Sequence, residues 1–265
     1  MTAGRVALVT GAARGIGAAT VRALAAGGWR VLAVDGIADD GSLPYPLASA
    51  ADLAAVVSAA AGTDGQVAAF HADVRDAGAL GAAVADAETR WGGLDAAIAC
   101  AGVIAGGVPQ WEVPPEQERA VLDVDLGGVL NLARAAVPAL LRRPEPRSGR
   151  FLAIASAAAT RGLPMLAAYC AAKAGVAGLI RALAVELGPT GVTANAVSPG
   201  STATAMLDES ARLYDLAGAQ EFASTQPAGR LLDPDEVAAV LAFLASRQSS
   251  GMTGAVVPVD GGLAL

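Results

Sequence analysis

Tyr169 and Lys173 are the two residues whose types and spacing point most directly to chemistry. They stand four positions apart in an apolar segment, so on an α-helix their side chains share one face. A free tyrosine has a pKa near 10 and is a weak base at neutral pH. A neighbouring ammonium favours the phenolate, which lets the pair exchange a proton with an alcohol. The spacing by itself fits equally well an exposed pair on an amphipathic helix.

A glycine-rich turn near the start of the chain is the second chemical signal. The segment 10–17, Thr-Gly-Ala-Ala-Arg-Gly-Ile-Gly, follows a strand-like run and opens a helix-like one. Glycines at these places permit a tight turn and a close approach of the backbone to a pyrophosphate at the positive helix end. A turn without any ligand is the alternative, and the strand before it and the helix after it favour the dinucleotide site. The predicted contacts are Gly11, Arg14, Gly15, Ile16 and Gly17.

Asp35 decides which dinucleotide the sequence predicts. It ends the second strand-like run, where a carboxylate accepts hydrogen bonds from the hydroxyls of the adenosine ribose. The same charge repels a 2′-phosphate, so NAD is favoured over NADP. Arg14 argues the other way, because a cation in the glycine turn helps to hold a phosphate. Asp35 weighs more, since its charge opposes the distinguishing group itself.

The elements that must position these residues alternate along the chain. Short apolar runs bounded by Gly, Asp, Ser or Pro predict seven buried parallel strands, and alanine-rich segments between most of them predict helices. The strands are expected at 6–9, 31–34, 67–70, 96–99, 151–154, 193–197 and 256–259. The helices are expected at 15–27, 76–91, 115–142, 166–188 and 234–246, the last with Asp233 as N-cap before Pro234. This alternation predicts one Rossmann-type domain over 1–265, a doubly wound parallel sheet with helices on both faces.

Two stretches are longer than ordinary connections. The segment 36–48 contains two prolines and starts beside Asp35, so we expect an inserted loop near the cofactor. The segment 201–229 precedes the final helix and carries scattered apolar side chains. It is predicted to be a lid over the substrate, with a packing arm as the alternative.

Composition excludes several classes of function. The formal charge of −7 disfavours nucleic acid and anionic membranes as partners. Charged residues interrupt the apolar stretches, so no membrane span is expected, and the first strand begins too early for a signal peptide, which predicts a cytoplasmic protein. Two cysteines without CxxC spacing and the single His71 predict buried thiols and no metal site.

The motifs together resemble the short-chain dehydrogenase/reductase family, in family order and over nearly the whole chain. The matching segments are 10–17, 73–74, 100–102, Ser156, 169–173, 195–200 and 259–262. The resemblance implies that Ser156 hydrogen-bonds the substrate oxygen and that Tyr169 is the acid and base. Lys173 would bind the nicotinamide ribose and lower the tyrosine pKa, while hydride passes to or from the nicotinamide.

The resemblance also implies further contacts and one departure. Asp73 and Val74 would contact adenine, Ala101 and Gly102 would line the ribose side, and the carboxamide segment would be Pro199, Gly200, Thr202 and Thr204. Substrate contacts are expected in the loops, at Leu163, Met206 and Tyr214 beside Ser156 and Tyr169. The family usually has asparagine where this chain has Asp125, a residue tied to a proton relay that ends at the lysine. That change puts the rate or its pH dependence in doubt.

Three segments, 38–47, 101–107 and 155–164, resemble the mycofactocin-associated branch of the family. That resemblance implies a loop over tightly held NAD, which mycofactocin re-oxidises in place; an ordinary long loop with exchanging NAD is the alternative. An NADPH-dependent carbonyl or 3-oxoacyl reductase would use the same catalytic residues, and a dinucleotide-binding redox sensor would need none of them.

Two further expectations concern substrate and assembly. The apolar loops favour a hydrophobic secondary alcohol or ketone as the small-molecule substrate. The predicted helices 115–142 and 166–188 carry alanine and leucine on more than one face, which predicts a homodimer or homotetramer.

Overall fold

The computed structural model describes residues 4–265, and its centre is one parallel sheet. The strand order is β3-β2-β1-β4-β5-β6-β7, and every neighbouring pair is parallel. The strands are β1 Val6–Thr10, β2 Arg30–Asp35, β3 Gln66–His71, β4 Ala96–Ala99, β5 Arg150–Ile154, β6 Thr193–Pro199 and β7 Val256–Val259. The chain order reverses between β1 and β4, which opens a crevice at their carboxyl ends. The predicted fold class is confirmed.

Helices cover both faces of this sheet. They are α1 Gly15–Ala26, α2 Ala50–Ala59, α3 Ala77–Trp91, α4 Pro115–Leu122, α5 Gly128–Arg142, α6 Ala167–Leu187, α7 Ala205–Leu213 and α8 Pro234–Ala245. One core lies between the sheet and α1, α2 and α8, around residues such as Val9 and Leu241. The other lies under α3, α5 and α6, around residues such as Leu8, Leu132 and Val176. Small alanine side chains let the helices approach the sheet closely in both layers.

Not all seven strands are buried as expected. The five central strands are buried along most or all of their length, whereas β3 and β7 alternate between half-buried and exposed positions. Both lie at edges of the sheet, where only one side has a neighbour. The apolar run predicts a strand but does not tell an edge from a centre.

Three helix predictions need correction. The expected single helix over 115–142 is interrupted by a π-helical turn at Asp123–Gly127, which separates α4 from α5. Helices α2 and α7 were not predicted. Helix α7 lies inside the segment 201–229, and Ser49 and Asp52 form a reciprocal capping box at the start of α2. The predicted cap at Asp233 is confirmed, since its side chain accepts a hydrogen bond from the Asp235 N–H.

The long helical stretches Pro115–Arg142 and Ala167–Thr190 are apolar enough, by length and composition alone, to cross a membrane. In the structure both pack against one face of the sheet through side chains such as Leu132 and Ile180. Their apolar character therefore has an explanation within the fold. The two cysteines are half-buried rather than buried as expected, and no metal-binding cluster occurs within residues 4–265.

Candidate active site

A cavity of about 680 Å³ opens at the carboxyl ends of the strands, in the size range of small-molecule sites. It brings together nearly all the residues that the sequence singled out, from segments far apart in the chain. These are Gly11, Arg14, Gly15, Ile16, Gly17, Asp35, Asp73, Val74, Ala101, Gly102, Ser156, Leu163, Tyr169, Lys173, Pro199, Gly200, Thr202, Thr204, Met206 and Tyr214. Asp125 is the exception, because it lies behind the cavity wall.

The glycine turn forms a cradle that side chains would fill. A Cβ on Gly17 would lie 1.9 Å from the Gly11 carbonyl oxygen, and one on Gly11 would lie 2.5 Å from the Ala101 nitrogen. Gly11 also has a φ of +63°, which favours glycine. The N-cap of α1, Arg14, supplies no side-chain cap to the first-turn N–H groups. This part of the cavity therefore fits a pyrophosphate.

Asp35 is fixed at the other side of that turn. Its Oδ2 accepts a hydrogen bond from the Ala13 N–H at 2.9 Å, and its Oδ1 accepts one from the Gly36 N–H at 2.8 Å. A carboxylate has about four acceptor positions, so two remain for ribose hydroxyls. The donors also orient the carboxylate before any ligand binds.

The loop 36–48 passes over this end of the cavity and is held at several points. The Ile104 N–H donates to the Tyr45 hydroxyl at 2.9 Å, and burial raises the pKa of Tyr45. Leu43 is buried in the core beneath the loop. Arg75 forms ion pairs with Asp40 of the loop and with Asp73. We call segment 36–48 the strap; sequence reasoning located it but missed these attachments.

Ser156, Tyr169 and Lys173 meet at the inner end of the cavity. Ser156 follows β5, and its Oγ accepts a hydrogen bond from the Ala158 N–H at 3.1 Å. Tyr169 lies in the first turn of α6, and Lys173 lies one turn later with its Nζ 5.5 Å from the Tyr169 ring centroid. Lys173 also donates to the Ile154 carbonyl oxygen at 3.3 Å. A strand end and a helix therefore fix the group rigidly.

Asp125 and Lys173 form a buried ion pair behind these residues. The Asp125 Oδ2 lies 3.1 Å from the Lys173 Nζ, and the two side chains are 0% and 3% exposed. The Asp125 Oδ1 accepts a hydrogen bond from the Val103 N–H at 2.8 Å. The π-helical turn places Asp125 here. The residue that departs from the family pattern thus contacts the lysine directly.

The pKa values of this group follow from burial and from one another. Burial raises the pKa of Tyr169 and outweighs the lowering caused by Lys173, while the charge of Asp125 raises it further. Burial lowers the pKa of Lys173, but Asp125 and Tyr169 reverse this and hold it above its usual value. Burial raises the pKa of Asp125, and Lys173 offsets only part of that rise. Sequence reasoning gave the effect of Lys173 but not the opposing effect of burial.

The outer part of the cavity is mostly apolar. Tyr214 donates its hydroxyl hydrogen to the Pro164 carbonyl oxygen at 2.7 Å and packs edge-on against Phe222, with the ring centroids 6.0 Å apart. These contacts join the segment 201–229 to the loop after Ser156. Arg161, which sequence reasoning did not single out, also lines this part and donates to the Leu263 carbonyl oxygen.

Comparison with known proteins decides the family. The protein-family sequence model described as "Enoyl-(Acyl carrier protein) reductase" matches residues 11–264. The chain is 38% identical to the "Short-chain reductase protein NovJ" of Streptomyces niveus, over 97% of this chain and 93% of the relative. It belongs to the short-chain dehydrogenase/reductase family.

Two further similar proteins are named dehydrogenases, and one of them was crystallised with NAD. The chain is 37% identical to trans-4-hydroxycyclohexanecarboxylate dehydrogenase of Sinomonas cyclohexanicum, over 97% of this chain and 92% of the relative. The crystal structure of carveol dehydrogenase from Mycobacterium avium in complex with NAD has a TM-score of 0.92 at 33% identity, covering 99% and 98% of the two chains. This short-chain dehydrogenase/reductase is an NAD-dependent oxidoreductase that acts on alcohols or ketones. The NAD assignment counts against NADPH dependence in the carbonyl or 3-oxoacyl reductase alternative, and the dehydrogenase activity counts against a non-catalytic sensor.

Proposed function

We propose that the protein oxidises an apolar secondary alcohol to the ketone, and reduces the ketone, with Tyr169 as the acid and base. The observation that carries this proposal is the meeting of Ser156, Tyr169 and Lys173 at the inner end of an apolar cavity. Bound NAD supplies the hydride acceptor, its nicotinamide ring. All remaining steps belong to the chain's own residues.

In alcohol oxidation Ser156 holds the substrate oxygen, and the Tyr169 phenolate removes the hydroxyl proton as the carbon-bound hydrogen leaves as hydride. The Lys173 ammonium stabilises the phenolate, because a buried positive charge acts strongly at this distance. Ketone reduction reverses each step, and Tyr169 then returns its proton to the oxygen. Asp125 acts on this exchange through Lys173.

Cofactor binding is divided along the cavity. The glycine cradle would hold the pyrophosphate, Asp35 the adenosine ribose, and Asp73 with Val74 the adenine. Ala101, Gly102 and Lys173 would bind the nicotinamide ribose side. The segment after β6 would hold the carboxamide through Pro199, Gly200, Thr202 and Thr204. The lining of one continuous cavity by all of these residues supports this arrangement.

The substrate we propose is a cyclic secondary alcohol or ketone. Leu163, Met206, Tyr214 and Phe222 line its part of the cavity with mostly apolar surface. Two similar proteins are named for cyclic alcohols, one a terpenoid and one a hydroxycyclohexane acid. Arg161 at the same end would suit a substrate that carries a hydrogen-bond acceptor far from its reacting hydroxyl or carbonyl group.

A substrate panel tests the function. Purified protein is offered carveol, 4-hydroxycyclohexanecarboxylate, an unsubstituted cyclohexanol and a linear primary alcohol, each with NAD, and NADH formation is followed by absorbance. Each mixture is repeated with an artificial electron acceptor, and reduction of the acceptor is then followed instead of NADH formation. Cyclic secondary alcohols should react faster than the linear primary one. Equal rates, or reaction with the primary alcohol alone, would contradict the proposal.

We also propose that the strap retains NAD, which an external carrier such as mycofactocin re-oxidises in place. The Tyr45, Leu43 and Asp40 attachments support retention, because they must open before the nucleotide leaves. Mass spectrometry of desalted protein should then find NAD, and turnover should need the artificial acceptor. If NAD is lost rapidly on desalting and NADH is released steadily, the dehydrogenase function stands but the assignment to the mycofactocin-associated branch is contradicted.

We propose a cytoplasmic dimer or tetramer. Exposed Leu130 on α5 and exposed Val185 on α6 support pairing of these helices, because water-exposed apolar side chains favour contact with another subunit. Light scattering at micromolar concentration measures the mass. A monomer would contradict the proposed assembly.

A further inference from the structure

Arg14, the cation of the glycine turn, is already paired with a carboxylate of another element. Its Nε and Nη2 donate to the same oxygen of Asp52, the Oδ2, at 3.1 and 2.7 Å. Asp52 belongs to the first turn of α2, a helix that the sequence analysis did not predict. The pairing connects the cofactor cradle to the segment that follows the strap.

Asp52 is held for this contact by the capping box of its helix. Its Oδ2 accepts hydrogen bonds from the Ser49 N–H at 2.8 Å and from the Ser49 hydroxyl at 2.7 Å. These bonds, together with the two from Arg14, lower the pKa of Asp52 to about 2. The carboxylate therefore stays charged at neutral pH and competes with any other anion for the guanidinium.

The anion that matters is the 2′-phosphate of NADP. Arg14 lines the same end of the cavity as Asp35, and a guanidinium binds phosphate well through its fork of donors. The other cation near this end, Arg75, pairs with Asp73 and Asp40, and Lys173 at the inner end pairs with Asp125. Removal of Asp35 would thus end the repulsion of the 2′-phosphate without freeing a cation to bind that phosphate.

We propose that Asp52 is a cofactor-specificity residue, which disfavours NADP by keeping the Arg14 guanidinium from a 2′-phosphate. This rests on the family's NAD chemistry and adds a second discriminating carboxylate to Asp35. Asp35 repels the phosphate, and Asp52 withholds the cation that would bind it. The freed guanidinium can bind the 2′-phosphate well only where Asp35 no longer repels it, so the two removals are coupled and their effect on NADPH should be more than additive.

The test measures binding, by titrating intrinsic or nucleotide fluorescence with NADH and with NADPH. The proteins are the unaltered chain, Asp35→Ser, Asp52→Asn and the double variant, each freed of bound nucleotide. Asp52→Asn should raise the NADPH-to-NADH affinity ratio several-fold, and in the double variant the gain should exceed the product of the single gains. NADH affinity should change little in Asp52→Asn.

Two further variants separate specificity from helix stability. Ser49→Ala removes the hydroxyl half of the capping box but keeps the Ser49 N–H bond that holds the Asp52 Oδ2 beside Arg14, so it should leave the affinity ratio unchanged even where thermal melting shows a loss of stability. Arg14→Gln added to the double variant should cancel the extra NADPH affinity. A ratio that Asp52→Asn does not change, with NADH binding intact, overturns the role of Asp52 alone. NADPH affinity that stays high in the double variant after Arg14→Gln also overturns this role. If the unaltered chain binds neither NADH nor NADPH, the NAD assignment is overturned as well.

Discussion

The two ends of the cavity hold their charges in opposite ways. At the catalytic end Lys173 and Asp125 are almost fully excluded from water and are fixed by α6 and the π-helical turn. At the adenosine end Arg14 with Asp52, and Arg75 with Asp73, are each about a third exposed and join loops or helix ends. Buried charges interact strongly and are little affected by salt, whereas exposed pairs contribute about 0–1 kcal/mol. The inner charges are therefore fixed strongly by the fold, whereas the outer ion pairs stabilise the rim only weakly.

Replacement of Tyr169 tests the rigid end most severely. Tyr169→Phe keeps the ring but removes the proton that the reaction transfers, so we expect kcat to fall by roughly 10²–10⁴-fold. NADH affinity, measured by fluorescence titration, should remain within about twofold of the original. A variant that retains most of its turnover would remove Tyr169 from the chemistry.

Replacement of Asp125 tests how the buried pair sets the pH dependence. Asp125→Asn keeps an oxygen for the Val103 N–H but removes the negative charge that raises the pKa of Tyr169. The pKa of Tyr169 should therefore fall. Alcohol oxidation needs the phenolate, so the rising limb of its kcat against pH should move to lower pH. A lower rate with an unmoved pH profile would indicate a structural role only.

Loosening the strap should have an intermediate effect. Tyr45→Phe removes the acceptor of the Ile104 N–H, a hydrogen bond worth about 0.5–1.5 kcal/mol, so NAD should dissociate roughly 2- to 10-fold faster. Stopped-flow displacement measures this rate. Tyr214→Phe makes the same deletion at the substrate end and should alter the substrate KM instead. An equal acceleration in both variants would contradict a local role for the strap.

Salt should have the smallest effect and should act on one end only. Raising the ionic strength from about 0.1 M to about 1 M shortens the screening length from about 10 Å to about 3 Å. Retention of NAD should weaken by about twofold or less, since the Arg75 and Arg14 pairs are exposed. The kcat at saturating cofactor and substrate should not change. A marked fall in kcat would show that the inner pair is open to water.

The repeating pattern of apolar runs predicted the sheet, because strands buried on both faces need continuous apolar sequence. The alternation with alanine-rich segments predicted α1, α3, α6 and α8 to within one residue at each end. It did not predict the break at Asp123–Gly127, since both sides of the break have ordinary helical composition. Helix α2 was missed beside the irregular strap, although the spacing of Ser49 and Asp52 in the sequence is a capping-box signal.

The features of the site also divide into those that the sequence predicts and those that it does not. Motifs with fixed local spacing, the glycine turn and the Tyr169–Lys173 pair, were readable because their partners are close along the chain. The pairing of Arg14 with Asp52, and of Asp125 with Lys173, joins residues far apart in sequence. No local pattern reports such pairs.

The sequence by itself determined the alternation of strands and helices, the glycine cradle, and the residues that we propose for the proton chemistry. Each of these depends on neighbours within one or two helical turns, whose spacing is fixed by backbone geometry. The tertiary structure decided which charges are buried and which cation each carboxylate neutralises. Those properties depend on distance and on exclusion of water, and both are set only when the strand ends, the strap and the helices meet at the carboxyl edge of the sheet.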